Sequence, residues 1–124
     1  MTTKNKILIV EDEPGMVKLL TQRLTSEGYA ISSAADGEAG LAMALTNHPD
    51  LILLDILMPK LHGLAFLRKL RVDDWGKKVP IIVMTNMYDP DKEKEVRNEW
   101  HCDFIVKSDW KLEDYVKKIN QTLA

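Results

Sequence analysis

The amino-acid sequence predicts an α/β fold in which five short strands alternate with five helices around a mainly parallel sheet. The apolar runs Ile7 to Val10 and Pro80 to Met84 are hydrophobic at successive positions, which is typical of parallel strands that helices cover on both faces. Segments with helical periodicity separate such runs along the chain. Strict alternation of strands and helices favours a parallel sheet with right-handed crossovers.

Five runs are predicted to be strands. Because most of them are apolar at successive rather than alternating positions, both faces of the sheet are expected to be buried. The runs are Lys6 to Val10, Tyr29 to Ala34, Leu51 to Asp55, Val79 to Thr85 and Asp103 to Val106.

The predicted helices have recognisable start or stop signals. Pro14 suits the first position of helix 1, which Gly28 ends. Asp36 is a suitable N-cap for helix 2, and His48-Pro49 ends that helix. Helices 3, 4 and 5 are expected over Leu61 to Val72, Asp91 to Trp100 and Trp110 to Leu123.

The composition indicates one globular domain of 124 residues, of which 45% are apolar and 29% are charged. The 17 basic and 19 acidic residues give a net charge of -2 without a basic block, so direct binding of nucleic acid is not expected. The single cysteine, Cys102, excludes an internal disulfide and suits a reducing compartment such as the cytoplasm. No stretch resembles a linker, and residues 1–124 are expected to form one module.

Membrane association is not expected either. The unbroken aliphatic runs are far shorter than the ~20 residues that a membrane-spanning helix needs. The residues from Met1 to Lys6 contain neither an apolar signal region nor a cleavage site.

Four of the five predicted strands end in charged or hydroxyl-bearing residues. These are Glu11-Asp12-Glu13 after strand 1, Asp55 in strand 3, Thr85-Asn86 in strand 4 and Lys107-Ser108 after strand 5. Open α/β sheets bind ligands at the carboxyl ends of their strands, where the strand order reverses. In a sheet of order 2-1-3-4-5, strands 1 and 3 are neighbours, so Asp12 and Asp55 are expected to face each other across one crevice.

Converging carboxylates of this kind favour a divalent cation. At ~4 Å two unit charges of the same sign repel by about 4 kcal/mol when the effective dielectric constant is about 20, so at least one carboxyl pKa should rise without a cation. Mg²⁺ prefers such oxygen ligands together with phosphate. With Lys107 and the Thr85 hydroxyl nearby, the set is suited to phosphoryl transfer, in which an aspartate can serve as the nucleophile.

Two segments resemble the signature segments of response-regulator receiver domains: Ile7-Leu8-Ile9-Val10-Glu11-Asp12-Glu13-Pro14 and Leu53-Leu54-Asp55-Ile56-Leu57-Met58-Pro59. Thr85 and Lys107 occupy matching strands, and the resemblance spans about residues 5 to 123. It implies a flavodoxin-like (βα)5 three-layer sandwich with strand order 2-1-3-4-5. It also implies a single receiver domain without an output domain, which acts as a phosphorylation-dependent switch rather than as an enzyme.

The resemblance implies a role for each matching residue. Asp55 would accept the phosphoryl group, and Asp12 and Asp55 would bind Mg²⁺ directly. Glu11 would bind the ion mostly through water, and the backbone carbonyl of Leu57 would complete the protein ligands.

Three further residues would respond to phosphorylation. Thr85 would hydrogen-bond to the attached phosphoryl group, Lys107 would pair with it, and Phe104 would change rotamer when Thr85 moves inward. The implied donor is a sensor histidine kinase or a histidine phosphotransfer protein. A downstream protein or a second copy would bind the face formed by helix 4, strand 5 and helix 5, where Trp100, Trp110 and Tyr115 would offer apolar contact.

The sequence departs from the family pattern at several positions. Ser108 replaces a proline that often follows a cis peptide bond, so a trans bond is expected here, and Ser108 or Asp109 is expected to cap the last helix. Asn86 stands where Ala or Gly is common and should narrow the approach to Asp55. The bulky Trp100-His101-Cys102 replaces a Gly-Ala pair.

Two other interpretations are weaker. A phosphorylation-independent module on the same fold would lack an acid or the lysine, and all are present. A flavodoxin-like cofactor binder would need a Ser-, Thr- or Gly-rich loop after strand 1, where Glu11-Asp12-Glu13 would repel a phosphate. The histidines His48, His62 and His101 show no metal-ligand spacing, and Cys102 is expected to be structural.

Overall fold

The computed structural model describes residues 5–124; the sequence-based expectation about the N-terminus therefore falls mostly outside the described residues. Five parallel strands form one sheet: β1 (Lys6–Val10), β2 (Ala30–Ala34), β3 (Leu51–Asp55), β4 (Ile81–Thr85) and β5 (Asp103–Val106). Their order is β2-β1-β3-β4-β5, which confirms the predicted topology. The α-helices are α1 (Pro14–Ser26), α2 (Gly37–Asn47), α3 (Gly63–Arg71), α4 (Pro90–Asn98) and α5 (Leu112–Leu123).

Side chains from the two faces of the sheet form two separate cores. One core packs against α2, α3 and α4 and includes Leu8, Leu54 and Val83. The other packs against α1 and α5 and includes Ile9 and Leu53. Because successive strand residues point to opposite faces, the continuous apolar runs supply both cores, and the fold is the expected three-layer sandwich.

Local signals set the helix starts. The side chain of Asp36 accepts a hydrogen bond from the Ala39 N–H at 2.8 Å, as predicted for the N-cap of α2. Helix α3 begins slightly later than expected because His62 caps it, with Nδ1 accepting from the Leu64 N–H at 3.2 Å.

The predicted cap of α5 was wrong. Ser108 and Asp109 belong to a 3₁₀ turn over Lys107–Asp109 that directly follows β5, so neither can begin the helix. Lys111 is the N-cap instead, and its N–H donates to Asp114 Oδ2 at 2.8 Å. No cis peptide bond occurs among residues 5–124, in agreement with the expected trans bond before Ser108.

Arg71 joins two loops at the amino-terminal end of the sheet. Its Nε donates to the Trp100 carbonyl at 2.9 Å, and its Nη1 donates to the carbonyls of Gly76 at 2.8 Å and Val79 at 2.7 Å. Nearby Cys102 is buried, as expected of a structural cysteine. In the described part of the chain, no helix has the length and apolar character needed to cross a membrane.

Candidate functional site

Three carboxylates meet at the carboxyl end of the sheet. Glu11 and Asp12 follow β1, and Asp55 ends the neighbouring strand β3, with Val10 and Leu54 in register. Carboxylate oxygens of the three residues lie within 4.8 Å of one another. Glu11 and Asp55 are buried and Asp12 is exposed, so the predicted convergence of acids is confirmed.

Lys107 connects two of these acids. Its Nζ donates a hydrogen bond to Glu11 Oε1 and another to Asp55 Oδ2 at 3.0 Å. All three side chains are almost fully buried, with 8% of the Lys107 side chain exposed. Removing one partner from a buried ion pair leaves an uncompensated charge. The lysine therefore neutralises a cluster that would otherwise be strongly repulsive.

The electrostatics follow from this burial. Burial raises the pKa of Glu11 to about 7, the Lys107 hydrogen bond lowers it and the negative charge of Asp55 raises it further. A raised carboxyl pKa was predicted from like-charge repulsion, but burial is the larger cause. Burial also opposes the charge of Lys107, yet its hydrogen bonds to Glu11 and Asp55 prevail and raise the pKa of the ammonium group.

The Thr85 hydroxyl is engaged outside the acid cluster. It donates to the Met87 carbonyl at 3.1 Å and accepts from the Met87 N–H at 3.2 Å. Thr85 shares its strand face with Val83, in the core against α2, α3 and α4, whereas Asp55 shares its face with Leu53 in the opposite core. Among the described residues, the hydroxyl is therefore bonded to its own loop rather than to Asp55.

The remaining predicted residues surround the site. The Leu57 N–H donates to Asp55 Oδ1 at 3.0 Å. Leu57 and Met87 are 43% and 70% exposed. Phe104 is buried, and its carbonyl accepts from Arg97 Nη2 at 2.9 Å. Asn86 is exposed at the start of the loop after β4.

Tyr115 is placed differently from the expectation. It was predicted to offer apolar contact to a partner, but only 4% of it is exposed, and Trp110 packs edge-on against its ring. The helical periodicity of α5 does not distinguish a surface aromatic from a core one. Sequence reasoning also missed the bond between Lys107 and Glu11, since no pattern indicates which acid a lysine selects.

The donor set fits Mg²⁺. This ion binds oxygen ligands at about 2.1 Å, so ligands on opposite sides of it are about 4 Å apart, which is comparable with the spacing among Glu11, Asp12 and Asp55. None of the three histidines belongs to a comparable metal-binding group within residues 5–124.

Comparisons with known proteins agree with this geometry. Residues 7–120 match the family described as "Response regulator receiver domain". The chain is 35% identical over 118 residues to the response regulator ArlR of Staphylococcus aureus, covering 95% of this chain and 52% of ArlR. It is 42% identical over 80 residues to the response regulator PleD of Caulobacter vibrioides, covering 64% of this chain and 18% of PleD.

Comparison with a solved structure also points to this family. The chemotaxis response regulator CheY4 of Vibrio cholerae matches 97% of this chain and 99% of its own, with a TM-score of 0.87 and 28% identity. The chain spans only part of the length of ArlR and PleD. Since the family match covers nearly all of the described residues, the chain belongs to the response-regulator receiver domains, the phosphorylation switches of two-component signalling.

Proposed function

We propose that Asp55 accepts a phosphoryl group from a phosphohistidine on a sensor histidine kinase or a histidine phosphotransfer protein. One carboxylate oxygen of Asp55 attacks phosphorus while the bond between phosphorus and the imidazole nitrogen breaks, and the imidazole takes a proton from solvent. The observation that carries the proposal is the Lys107 ammonium group 3.0 Å from Asp55 Oδ2. It places a positive charge where a phosphoryl oxygen would arrive.

The surrounding residues would complete the site. Glu11, Asp12, Asp55 and the Leu57 carbonyl would hold Mg²⁺, which offsets negative charge on the transferring group. The Thr85 hydroxyl would give up its hydrogen bond to the Met87 carbonyl and would donate one to the attached phosphoryl group instead.

The output would be a conformational change rather than turnover of a substrate. Phe104 would report it at the face formed by α4, β5 and α5, which would bind a downstream protein or a second copy. The domain would assist only its own phosphorylation and dephosphorylation, and would bind neither nucleic acid nor membrane directly. The single buried cysteine is consistent with a cytoplasmic location. The chain would form one receiver domain, whose signature-bearing region spans about residues 5 to 123.

Phosphorylation of a matched pair of variants tests the acceptor. The wild-type chain should become labelled by a phosphorylated histidine kinase in Mg²⁺, and hydroxylamine should release the label as expected of an acyl phosphate. Asp55→Asn should abolish labelling. Asp50→Asn is the control, because this aspartate is exposed, precedes β3 at the opposite end from Asp55, and its side chain accepts a hydrogen bond from the Lys6 N–H. Full labelling of Asp55→Asn would refute the assignment.

Titration with Mg²⁺ tests the metal site. The tryptophan fluorescence or amide shifts of the wild-type chain should respond saturably, and a chelator should abolish phosphorylation. Asp12→Ala should lose the response, since it removes a direct ligand while leaving the bond between Lys107 and Asp55 in place. A saturable response that persists in Asp12→Ala would contradict the proposed ligand set.

A further inference from the structure

The hydroxyl group of Tyr115 has no hydrogen-bond partner among the described residues, although the residue is only 4% exposed. Leaving a buried hydroxyl unsatisfied destabilises a protein, and a phenylalanine of the same shape avoids that penalty. The tyrosine oxygen therefore needs an explanation that packing alone does not give.

Tyr115 packs on the same face of the sheet as the acid cluster. Tyr115 packs in the core that contains Ile9, Leu53 and Ile105. Because strand side chains alternate between faces, the next residues on that face are Glu11, Asp55 and Lys107, which form the buried ion cluster.

Two further observations agree with this placement. Tyr115 and Lys107 line the same groove of about 660 Å³ between α1 and α5. Burial, with the negative charges of Glu11 and Asp55, raises the pKa of Tyr115 to about 12. The phenol is therefore a neutral donor near two acceptors at physiological pH.

Phosphorylation would change the balance of donors in this cluster. In the present state, Glu11 Oε1 accepts from Lys107, and Glu11 Oε2 accepts from the Glu13 N–H at 3.1 Å. When Lys107 pairs with a phosphoryl oxygen on Asp55, Oε1 loses its protein donor, and only water on Mg²⁺ would remain to it while Glu11 stays buried. A buried carboxylate oxygen without a donor is costly.

We propose that Tyr115 is a positioning residue whose hydroxyl donates a hydrogen bond to Glu11 Oε1 when Lys107 turns to the phosphoryl group on Asp55. The inference rests on the proposed function. The phenol would take over one of the two bonds that Lys107 makes now, and would thereby release the lysine for the phosphoryl group. The Tyr115 hydroxyl, which has no partner among the described residues of the unphosphorylated protein, would then be hydrogen-bonded in the phosphorylated protein.

Beryllofluoride, which mimics a phosphoryl group on aspartate, tests the inference in the full chain with Mg²⁺. Tyr115→Phe should bind beryllofluoride about tenfold more weakly, the effect expected from loss of a hydrogen bond to a charged group. Without beryllofluoride, its urea midpoint should equal or exceed that of the wild type, because the variant lacks an unsatisfied hydroxyl. Tyr29→Phe is the control and should bind normally, since the Tyr29 hydroxyl donates to Asn120 instead.

NMR of tyrosines labelled at Cζ gives a second measurement. On addition of beryllofluoride, the Tyr115 Cζ resonance should shift while that of Tyr29 stays constant. Equal affinity of wild type and Tyr115→Phe, or a Tyr115 resonance that stays constant while beryllofluoride binds, would overturn the inference. A lower urea midpoint of free Tyr115→Phe would also overturn it, because a structural role would then suffice. Failure of the wild type to bind beryllofluoride would instead refute the proposed function.

Discussion

Glu11 shows how strongly one residue depends on its surroundings. In the folded chain burial raises its carboxyl pKa to about 7, whereas the ordinary value is 4.5. Folding therefore takes up a proton between these two pH values. Because the folded state binds more protons than the unfolded state in that window, this carboxyl makes the free energy of unfolding fall as pH rises from about 4.5 to 7.

Comparison with Glu11→Gln measures this contribution. In urea titrations without Mg²⁺, the free energy of unfolding of the wild type relative to Glu11→Gln should fall across that window and level off above it. Glu38→Gln is a suitable control, because Glu38 is exposed in the first turn of α2. A wild-type curve parallel to that of Glu11→Gln would contradict the raised pKa.

Two side chains beside the site bear on the lifetime of the phosphorylated state. Leu57 and Met87 are two residues after Asp55 and Thr85, and neither side chain can act as a base or orient a water molecule. We expect slow self-dephosphorylation and slow loading by acetyl phosphate. Leu57→Asn with Met87→Glu should speed loss of the phosphoryl group, measured as release of inorganic phosphate, and Asn86→Ala should speed loading. Loss from the wild type within seconds would show that water access does not limit this site.

Much of the site could be predicted at this scale. Glu11, Asp12 and Asp55 converge because their strands are neighbours, and the strand order that makes them neighbours was implied by the family resemblance. The bond between Thr85 and Met87 could not be predicted, since it depends on the path of one loop. The partner of Lys107 likewise depends on side-chain packing in three dimensions.

At the scale of the elements, α2 packs closely on the loop between β3 and α3. A Cβ atom added to Gly37 would lie 2.0 Å from the Leu61 carbonyl oxygen, whereas one added to Gly15 in α1 would meet nothing within 4 Å. Gly37→Ala should therefore lower the free energy of unfolding by about 1–3 kcal/mol through overpacking. Gly15→Ala, the matched control, should change it slightly or raise it by about 0.5 kcal/mol. Equal urea midpoints for the two variants would contradict this close packing.

The elements also show where prediction from sequence stops. The strands were predicted within one or two residues because their apolar runs are continuous and bounded by polar residues. The start of α5 was missed because Ser108 and Asp109 suit a helix cap and a 3₁₀ turn equally well. Tyr115 was assigned to a surface because its burial depends on where α5 lies against the sheet.

Across the whole molecule, the site has parts on both faces of the sheet. Glu11, Asp55 and Lys107 share the face of α1 and α5, whereas Thr85 and Phe104 share the face of α2, α3 and α4. A phosphoryl group held by both Lys107 and Thr85 would connect the two faces. Inverting a population from 1:99 takes about 5.5 kcal/mol, which these contacts and the metal would have to supply.

Amide chemical shifts of the whole chain test this coupling. Beryllofluoride with Mg²⁺ should shift resonances from Met87 through α4 to β5, in addition to those around Asp55. Asp55→Asn is the control and should show no response to beryllofluoride. Shifts confined to the immediate surroundings of Asp55 would contradict coupling between Asp55 and the face of α4, β5 and α5.

The guanidinium group of Arg71 limits the kind of motion that such a switch can use. It holds the segments before β4 and β5 together through the carbonyls of Val79 and Trp100. Thr85 ends β4 and Lys107 directly follows β5, so both lie at least about 20 Å from these contacts at a rise of about 3.3 Å per residue. Because Arg71 holds this end, we expect β4 and β5 to shift relative to each other less here than at the ends beside Thr85 and Lys107. Over about 20 Å, a tilt of about 3° moves the far end by about 1 Å, enough to exchange one hydrogen-bond partner for another.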